Sequence, residues 1–150
     1  MIDGNLKLTQ HHAILRYIAE KYQKDLKLSV EEDAIVTMAQ EQGRDMTYAW
    51  AFVAWEMDKD KESYLSTRLP QSLEQVSNFL DRQGSFVLGN RVTYADFSLY
   101  EGLLKAKVTV PEVWAKYPKL EQYVKRIESL PRVAEYIKTQ KPHHFTLPFS

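Results

Sequence analysis

Beyond its first nine residues, the chain repeats apolar residues at the three- and four-residue spacing of an α-helix along almost its whole length. This period lets each helix bury one face, and it does not suit a strand, whose side chains alternate. Only five glycines interrupt the 150 residues. The sequence therefore predicts a mainly α bundle, with helices from near residue 10 to 22, 29–55, 64–82 and 93–107, and further helices beginning at Pro118 and Pro131.

The first nine residues carry the strand signal of this sequence. The pair Asp3-Gly4 is a strong hairpin-turn signal, and residues 5–9 alternate like a short strand. Only Met1 and Ile2 precede the turn, which is too few for a partner strand, and even a complete isolated hairpin is marginal in water. We therefore expect the stub of an α/β unit before the bundle, in a chain that is the later part of something longer.

Local signals predict where several helices begin or end, and which face of the first helix is apolar. Residues 29–32 (SVEE) form a capping box, and Thr93 with Asp96 forms another, joined by a hydrophobic staple between Val92 and Phe97. This second motif is assigned a structural role, the start of a helix. We also expect Pro70 to kink or restart its helix, residues 59–62 to be a charged connector, and Gly84 to end a helix. The first helix is expected to show an apolar face made of Ala13, Ile14, Tyr17, Ile18 and Tyr22.

Composition excludes several classes of function. Lys and Arg number 20 and Asp and Glu number 20, and this balance argues against a nucleic-acid-binding protein. The absence of cysteine excludes disulfides and any chemistry that needs a cysteine thiolate of the protein itself. No apolar run reaches membrane-spanning length. The pairs His11-His12 and His143-His144 are adjacent and lack the i, i+4 spacing of a helical metal site, so no metal is expected.

Four segments together resemble the cytosolic glutathione transferases, most closely the mu class and its mite relatives. Any one of them alone would be weak, but they occur in the family order and span nearly the whole chain. They are IDGNLKLTQ at 2–10 with AILRYIA at 13–19, LPQSL at 69–73 with FL at 79–80, GNRVTYADF at 89–97, and YPKL at 117–120 with IESLP at 127–131 and YIK at 136–138.

The resemblance implies a fold and an activity. Family members have a thioredoxin-like domain followed by an all-helical domain, so residues 1–24 are expected to be a remnant of the first and residues 25–150 the second. The implied activity is conjugation of reduced glutathione, a co-substrate rather than a cofactor, to hydrophobic electrophiles by a cytoplasmic homodimer. The Tyr with which these enzymes stabilise the glutathione thiolate has no match here. The chain alone is therefore expected to be inactive, and no catalytic residue is assigned to it.

The resemblance assigns glutathione-binding roles to Gln10, His11 and Asp45. At a strand-to-helix junction, free backbone N–H groups and the helix dipole favour an anion. The family holds the γ-glutamyl carboxylate of glutathione at this corner with a Gln-Ser pair. Gln10 matches that pair, whereas His11 replaces the serine and loses its hydroxyl donor. Asp45 matches the family position that reaches across the dimer to the α-amino group of glutathione.

The resemblance also implies an apolar wall for the electrophilic acceptor. Trp55 stands where mu-class enzymes place a Tyr that lines the acceptor site. A Trp keeps the apolar wall and an N–H donor but loses the hydroxyl, and with it acid assistance to the substrate. Thr47, Tyr48 and Phe52 are assigned to the same wall.

The sequence leaves a structural interpretation open for each of these residues. Gln10 and His11 could simply cap an exposed helix end, and Asp45 could be a solvated charge beside Arg44. The residues of the acceptor wall could belong to the core or to an interface, as aromatic residues at helical spacing usually do. For the whole chain, the alternatives are a non-catalytic helical module for dimerisation or ligand binding, and a fragment that does not fold stably.

Overall fold

The computed structural model describes residues 1–54 and 61–139. A two-stranded antiparallel hairpin, β1 (Ile2–Asp3) and β2 (Leu6–Lys7), comes first. The helices that follow are α1 (His11–Tyr22), α2 (Val30–Ala54), α3 (Lys61–Ser63), α4 (Leu69–Gln83), α5 (Tyr94–Thr109), α6 (Pro111–Trp114), α7 (Pro118–Glu128) and α8 (Pro131–Thr139), with a π-helical turn at Tyr64–Arg68 before α4. The predicted mainly α fold class is confirmed. Among the described helices, none combines the length and apolar character that crossing a bilayer requires.

The hairpin is complete, contrary to the expectation that its first strand would be missing. Ile2 pairs with Lys7 and Asp3 with Leu6, so the loop is the two residues Gly4 and Asn5. Gly4 has a φ of +58°, which a type II′ turn requires at its first loop position. A two-residue loop lets even two-residue strands pair, because the turn itself fixes their register.

Helix α1 begins where predicted, but its predicted apolar face is wrong. Leu15 and Ala19 pack against the core, whereas Ile18 and Tyr22 are exposed. No residue of α1 is fully buried. Periodicity shows that a helix is amphipathic, but neighbouring elements decide which part of a broad apolar stripe is covered.

Helices α2 and α5 approach so closely that their backbones are in contact. A Cβ atom at Gly43 would lie 2.5 Å from the backbone carbon and oxygen of Ser98, and 2.7 Å from the backbone nitrogen of Leu99. On the facing helix, a Cβ at Gly102 would lie 3.0 Å from Cβ of Met46 and 3.1 Å from the carbonyl oxygen of Gly43. Glycine at both positions is therefore what permits this crossing.

Pro70 restarts its helix as predicted. It lies in the first turn of α4, directly after the π-helical turn, in which the N–H of Leu69 bonds to the carbonyl oxygen of Tyr64. Proline donates no N–H and its ring crowds the preceding turn, so a widened turn in front of it relieves this steric crowding.

The predicted connector at 59–62 is wrong where the structure describes it, because Lys61 and Glu62 belong to α3. Gly84 ends α4 with a φ of +116°.

Asp96 does more than start α5. Its Oδ2 accepts hydrogen bonds from the backbone N–H (2.7 Å) and the hydroxyl (2.9 Å) of Thr93. Its Oδ1 accepts from the N–H of Val87 (2.9 Å) and the hydroxyl of Tyr123 (2.9 Å). The residue is fully buried. Burial raises the pKa of the Asp96 carboxyl, and these four donors oppose that effect. The predicted capping box is thus confirmed, and it also ties the loop before α5 to α7.

The core lies around α5, with α2, α4 and α7 packed on it. The inward face predicted for the helix beginning at Pro118 is confirmed, because all four of its apolar residues are buried. The largest fully buried aliphatic side chains of the described residues are Leu69, Leu73, Leu99, Leu103, Leu120 and Ile127.

Gly43→Ala should lower the free energy of unfolding by about 3 kcal/mol, because the new methyl group meets rigid backbone. This loss should appear although Ala is about 1 kcal/mol better than Gly in a helix interior. Gly102→Ala should cost less, since part of its surroundings is the Met46 side chain, which can move. Urea unfolding measures both, and a neutral or stabilising Gly43→Ala would contradict the close crossing.

Asp96→Ala should lower the free energy of unfolding by about 3 kcal/mol or more, because it leaves buried donors without an acceptor. Combined with Thr93→Ala, the losses should fall short of additive, since both changes break the same pair of groups. Urea unfolding of the two single variants and the double variant tests this.

The control for Asp96→Ala must be an exposed carboxylate. Glu121 looks suitable from sequence, but it accepts a hydrogen bond from Trp114 at 2.8 Å and pairs with Lys107. Glu74 on α4 is exposed and serves instead. Glu74→Ala should change stability by less than about 0.5 kcal/mol. An Asp96→Ala midpoint equal to that of Glu74→Ala would refute the role assigned to the buried carboxylate.

Candidate functional site

Two of the predicted site residues, His11 and Tyr48, meet where the N-terminus of α1 faces the middle of α2. The rings of His11 and Tyr48 lie edge to face with centroids 6.5 Å apart. The guanidinium carbon of Arg44 lies 6.0 Å from the centre of the Tyr48 ring. The structure thus brings a residue predicted for the glutathione corner next to one predicted for the acceptor wall, although 37 positions separate them in sequence (48 − 11).

Gln10 has an unusual backbone conformation. Its φ of 64° is positive, and it is the one non-glycine residue of the described chain with this property. Its ψ of 113° lies beyond the left-handed helical region that non-glycine residues sometimes visit. Strained backbone of this kind is concentrated at functional sites.

The capping interpretation of Gln10 is not supported. The residue occupies the N-cap position of α1, but its side chain makes no capping hydrogen bond. Only its carbonyl oxygen is used, accepting from the N–H of Ile14 at 3.1 Å. The side chain is exposed. The first N–H groups of a 12-residue helix and an uncommitted carboxamide thus lie at one corner, which suits an anion.

His11 is exposed, and its ring lies 4.1 Å from that of His12, edge to face. The pKa of His11 is lowered, mainly because burial of part of the ring disfavours the charged form. His12 and Arg44 lower it further, and Glu41 opposes them. His11 is therefore mainly neutral at pH 7, with one nitrogen able to donate and the other able to accept.

Asp45 projects from α2 into solvent, with 68% of its side chain exposed. Its carboxylate lies 3.5 Å from Nη2 of Arg44, whose Nη1 pairs more closely with Glu41 at 2.7 Å. Within one chain, Asp45 is therefore a solvated charge beside Arg44, which is the structural alternative that the sequence left open. It is equally an accessible carboxylate, free to meet a group that approaches from outside.

The acceptor-wall residues divide into three groups. Tyr48 and Phe52 are exposed, 44% and 49% respectively, and lie one turn apart on α2. Thr47 is half-buried. Trp55 lies outside the described residues. The two exposed aromatic side chains are not core residues, so a structural explanation for them would have to be an interface.

The structure adds a cluster at this corner that sequence reasoning missed. The ring of His12 lies between Glu41 of α2, at 3.3 Å, and Ser98 of α5, at 3.4 Å. These partners are 29 and 86 residues away in sequence, so no local spacing could have revealed them. The described residues hold no group of three or more His, Cys, Asp or Glu side chains arranged for a metal ion.

Two concave surfaces of the described residues lie away from this corner. A cleft of about 350 Å³ between α1 and the start of α2 is lined by residues that include Arg16 and Asp33. An apolar groove of about 180 Å³ between α2 and α4 is lined in part by Met38 and Phe79. Neither is lined by any predicted site residue.

Comparison with known proteins gives a consistent result. Residues 44–140 match the family model described as "Glutathione S-transferase, C-terminal domain". The chain is 44% identical to a glutathione S-transferase of Dermatophagoides pteronyssinus, over 99% of this chain and 68% of that protein. It is 35% identical to glutathione S-transferase Mu 2 of Mus musculus, over 94% of this chain and 64% of that protein.

The fold is also similar to that of a solved structure. The match to a pi-class glutathione S-transferase of Onchocerca volvulus has a TM-score of 0.79 with 26% sequence identity. It covers 91% of this chain and 67% of the solved chain. The chain thus spans about two thirds of the length of the proteins it resembles.

Gln10→Gly should raise the free energy of unfolding by about 1 kcal/mol. Glycine has no Cβ, so a positive φ costs it less than it costs Gln; the change relieves part of a strain of about 1–3 kcal/mol, and the greater freedom of the unfolded chain offsets part of that gain. Gln10→Ala is the matched control, because Ala keeps the Cβ and therefore the strain. Urea unfolding of both variants checks this. Equal stability of the Gly and Ala variants would show that the backbone of Gln10 is not strained.

Proposed function

Because the chain belongs to the glutathione S-transferase family, we propose that it supplies the helical part of an enzyme that conjugates reduced glutathione to hydrophobic electrophiles. Its relatives include mu-class members, and the proposal takes a mu-like site. The observation that carries it is the backbone of Gln10, held in a strained conformation at the N-terminus of α1 with its carboxamide uncommitted.

Glutathione would place its γ-glutamyl carboxylate at the corner formed by Gln10 and His11. The free N–H groups of the first turn of α1 and the positive end of its dipole favour an anion there. The Gln10 carboxamide adds a further donor. His11, mainly neutral because its pKa is lowered, supplies at most one ring N–H, in place of the hydroxyl of the family serine.

Asp45 would bind the α-amino group of a glutathione molecule held mainly by a second subunit. Its carboxylate is largely exposed, as a residue that contacts a neighbouring subunit must be in an isolated chain. The proposal therefore includes a homodimer, and it places the protein in the cytoplasm. An ammonium–carboxylate contact of this kind is a charge-assisted hydrogen bond.

The acceptor would lie against Tyr48 and Phe52, with Thr47 and Trp55 extending the same wall. Exposed aromatic side chains one turn apart present an apolar surface that suits a hydrophobic electrophile. The edge-to-face contact between the rings of His11 and Tyr48 supports an acceptor wall adjacent to the glutathione corner. That adjacency is what conjugation needs, because the sulfur must meet the electrophile within reacting distance.

Gln10→Ala should weaken glutathione binding by about 1–3 kcal/mol, because a charge-assisted hydrogen bond to the carboxylate is lost. His11→Ser should change the affinity less, or improve it, because Ser supplies a hydroxyl donor at the same place. Calorimetric titration of glutathione into the protein carrying a complete thioredoxin-like domain, called the intact protein below, measures both effects.

Gln71→Ala provides the matched control, since Gln71 is an exposed glutamine on α4, away from this corner. Its affinity for glutathione should equal that of the unmodified protein. An unchanged affinity in Gln10→Ala would mean that this corner does not bind the carboxylate. Binding without turnover in the intact protein would favour the non-catalytic helical module.

A further inference from the structure

His12 joins three helices at the start of α1. Its Nδ1 lies 3.3 Å from Oε1 of Glu41 on α2, and its Nε2 lies 3.4 Å from the hydroxyl oxygen of Ser98 on α5. Its carbonyl oxygen accepts a hydrogen bond from the side chain of Gln40 at 3.3 Å. Only 13% of the His12 side chain is exposed. His12 thus contacts α2 through its ring and its backbone, and it contacts α5 through its ring.

These contacts attach α1 to the most rigid part of the fold. The hydroxyl of Ser98 donates to the carbonyl oxygen of Gln40 at 3.0 Å, and both residues are buried. Ser98 is also the residue whose backbone touches Gly43 at the crossing of α2 and α5. Ser98, which meets the ring of His12, therefore lies on backbone that the close approach of Gly43 leaves little room to shift.

The rest of α1 is held more weakly. None of its residues is fully buried, and among the described residues its other ion pair with α2 is the exposed one of Arg16 with Asp33 at 3.1 Å. Exposed pairs of this kind contribute little to stability. A strained residue such as Gln10 persists only when the structure around it over-determines its conformation. His12 is two residues from Gln10, and only 13% of its side chain is exposed, so its polar contacts with the bundle are largely shielded from water.

Ser98, His12 and Glu41 have the residue types of a hydrolase triad, but the geometry does not support one. Ser98 is only 7% exposed and its hydroxyl donates to a main-chain carbonyl, so it is not available to attack a substrate. The three residues instead connect α1, α2 and α5 through polar side-chain contacts.

We propose that His12 is a positioning residue that holds the Gln10-His11 corner in the conformation that binds the carboxylate of glutathione. This inference rests on the proposed function. His12 itself does not touch the ligand. It acts by fixing the first turn of α1 to Glu41 and Ser98, which maintains the backbone of Gln10 and the direction of the free N–H groups.

Two substitutions of His12 separate hydrogen bonding from packing. His12→Phe keeps a ring of similar size but removes both nitrogens. His12→Asn keeps a nitrogen donor near the position of Nδ1, so the contact with Glu41 can be retained. Arg16→Gln is the matched control, because it removes the other polar tie between α1 and α2 at a distance from the corner.

Two measurements are made on the intact protein. Calorimetry gives the dissociation constant of glutathione, and hydrogen exchange gives the protection of the Ile14 amide, whose N–H bonds to the carbonyl of Gln10. His12→Phe should weaken binding about tenfold and speed the exchange of Ile14 about tenfold. His12→Asn should stay within about threefold of the unmodified protein in both, and Arg16→Gln within about twofold. A tenfold effect corresponds to about 1.4 kcal/mol.

Three results would overturn the inference: unchanged binding and exchange in His12→Phe, equal losses in His12→Phe and His12→Asn, or equal losses in His12→Phe and Arg16→Gln. If the unmodified protein does not bind glutathione, the proposed function fails, and Ile14 exchange alone still decides whether His12 fixes the corner. If His12→Phe does not fold, Glu41→Ala removes the same contact from the α2 side. It should reproduce both changes, and unchanged values would overturn the inference.

Discussion

The backbone contact between α2 and α5 is the constraint on which the rest of this structure depends. Gly43 and Gly102 have no Cβ, so the two helices approach until the main chain of one touches the main chain of the other. Each glycine costs about 1 kcal/mol of helix propensity relative to Ala. Because both Cβ atoms are missing, α5 can lie in the centre of the fold, where α4 and α7 can pack around it. A contact between main chains cannot be repacked by rotating a side chain, and this makes the crossing a fixed reference for its surroundings.

Buried polar groups connect the peripheral elements to this centre. The Asp96 carboxylate accepts four hydrogen bonds and thereby orders the loop that leads into α5 and one side of α7. Four donors compensate much of the cost of burying the group, which is the condition under which a buried carboxylate is tolerated. Ser98 and Gln40 form a second, smaller set of this kind where α2 and α5 meet. His12 extends it to α1.

This arrangement explains how a site can form at the edge of a helical bundle in a glutathione S-transferase. Gln10 and His11 are exposed, and the backbone of Gln10 is strained. The conformation of this corner therefore persists only if neighbouring elements hold it. Support comes from α2, the same helix that displays Asp45, Tyr48 and Phe52. Under the proposed function, the residues assigned to glutathione and to the acceptor come from two elements that share one frame, and that frame would set the distance between the two substrates.

The sequence by itself determined where most of the helices lie and how several of them begin, although it indicated neither α3 nor α6. Capping boxes, prolines and apolar periodicity act within a few residues, so the starts of α2, α5, α7 and α8 followed from local chemistry alone. The sequence also contained enough of a family pattern to point to Gln10 and Asp45. The tertiary structure alone decided which side of α1 is covered, that Asp96 joins three segments, and that His12 meets Glu41 and Ser98. Those outcomes depend on contacts between residues far apart in the chain, as many as 86 positions for His12 and Ser98, and no local pattern encodes such a contact. The close approach of α2 and α5 that Gly43 and Gly102 permit is likewise a property of the packed fold.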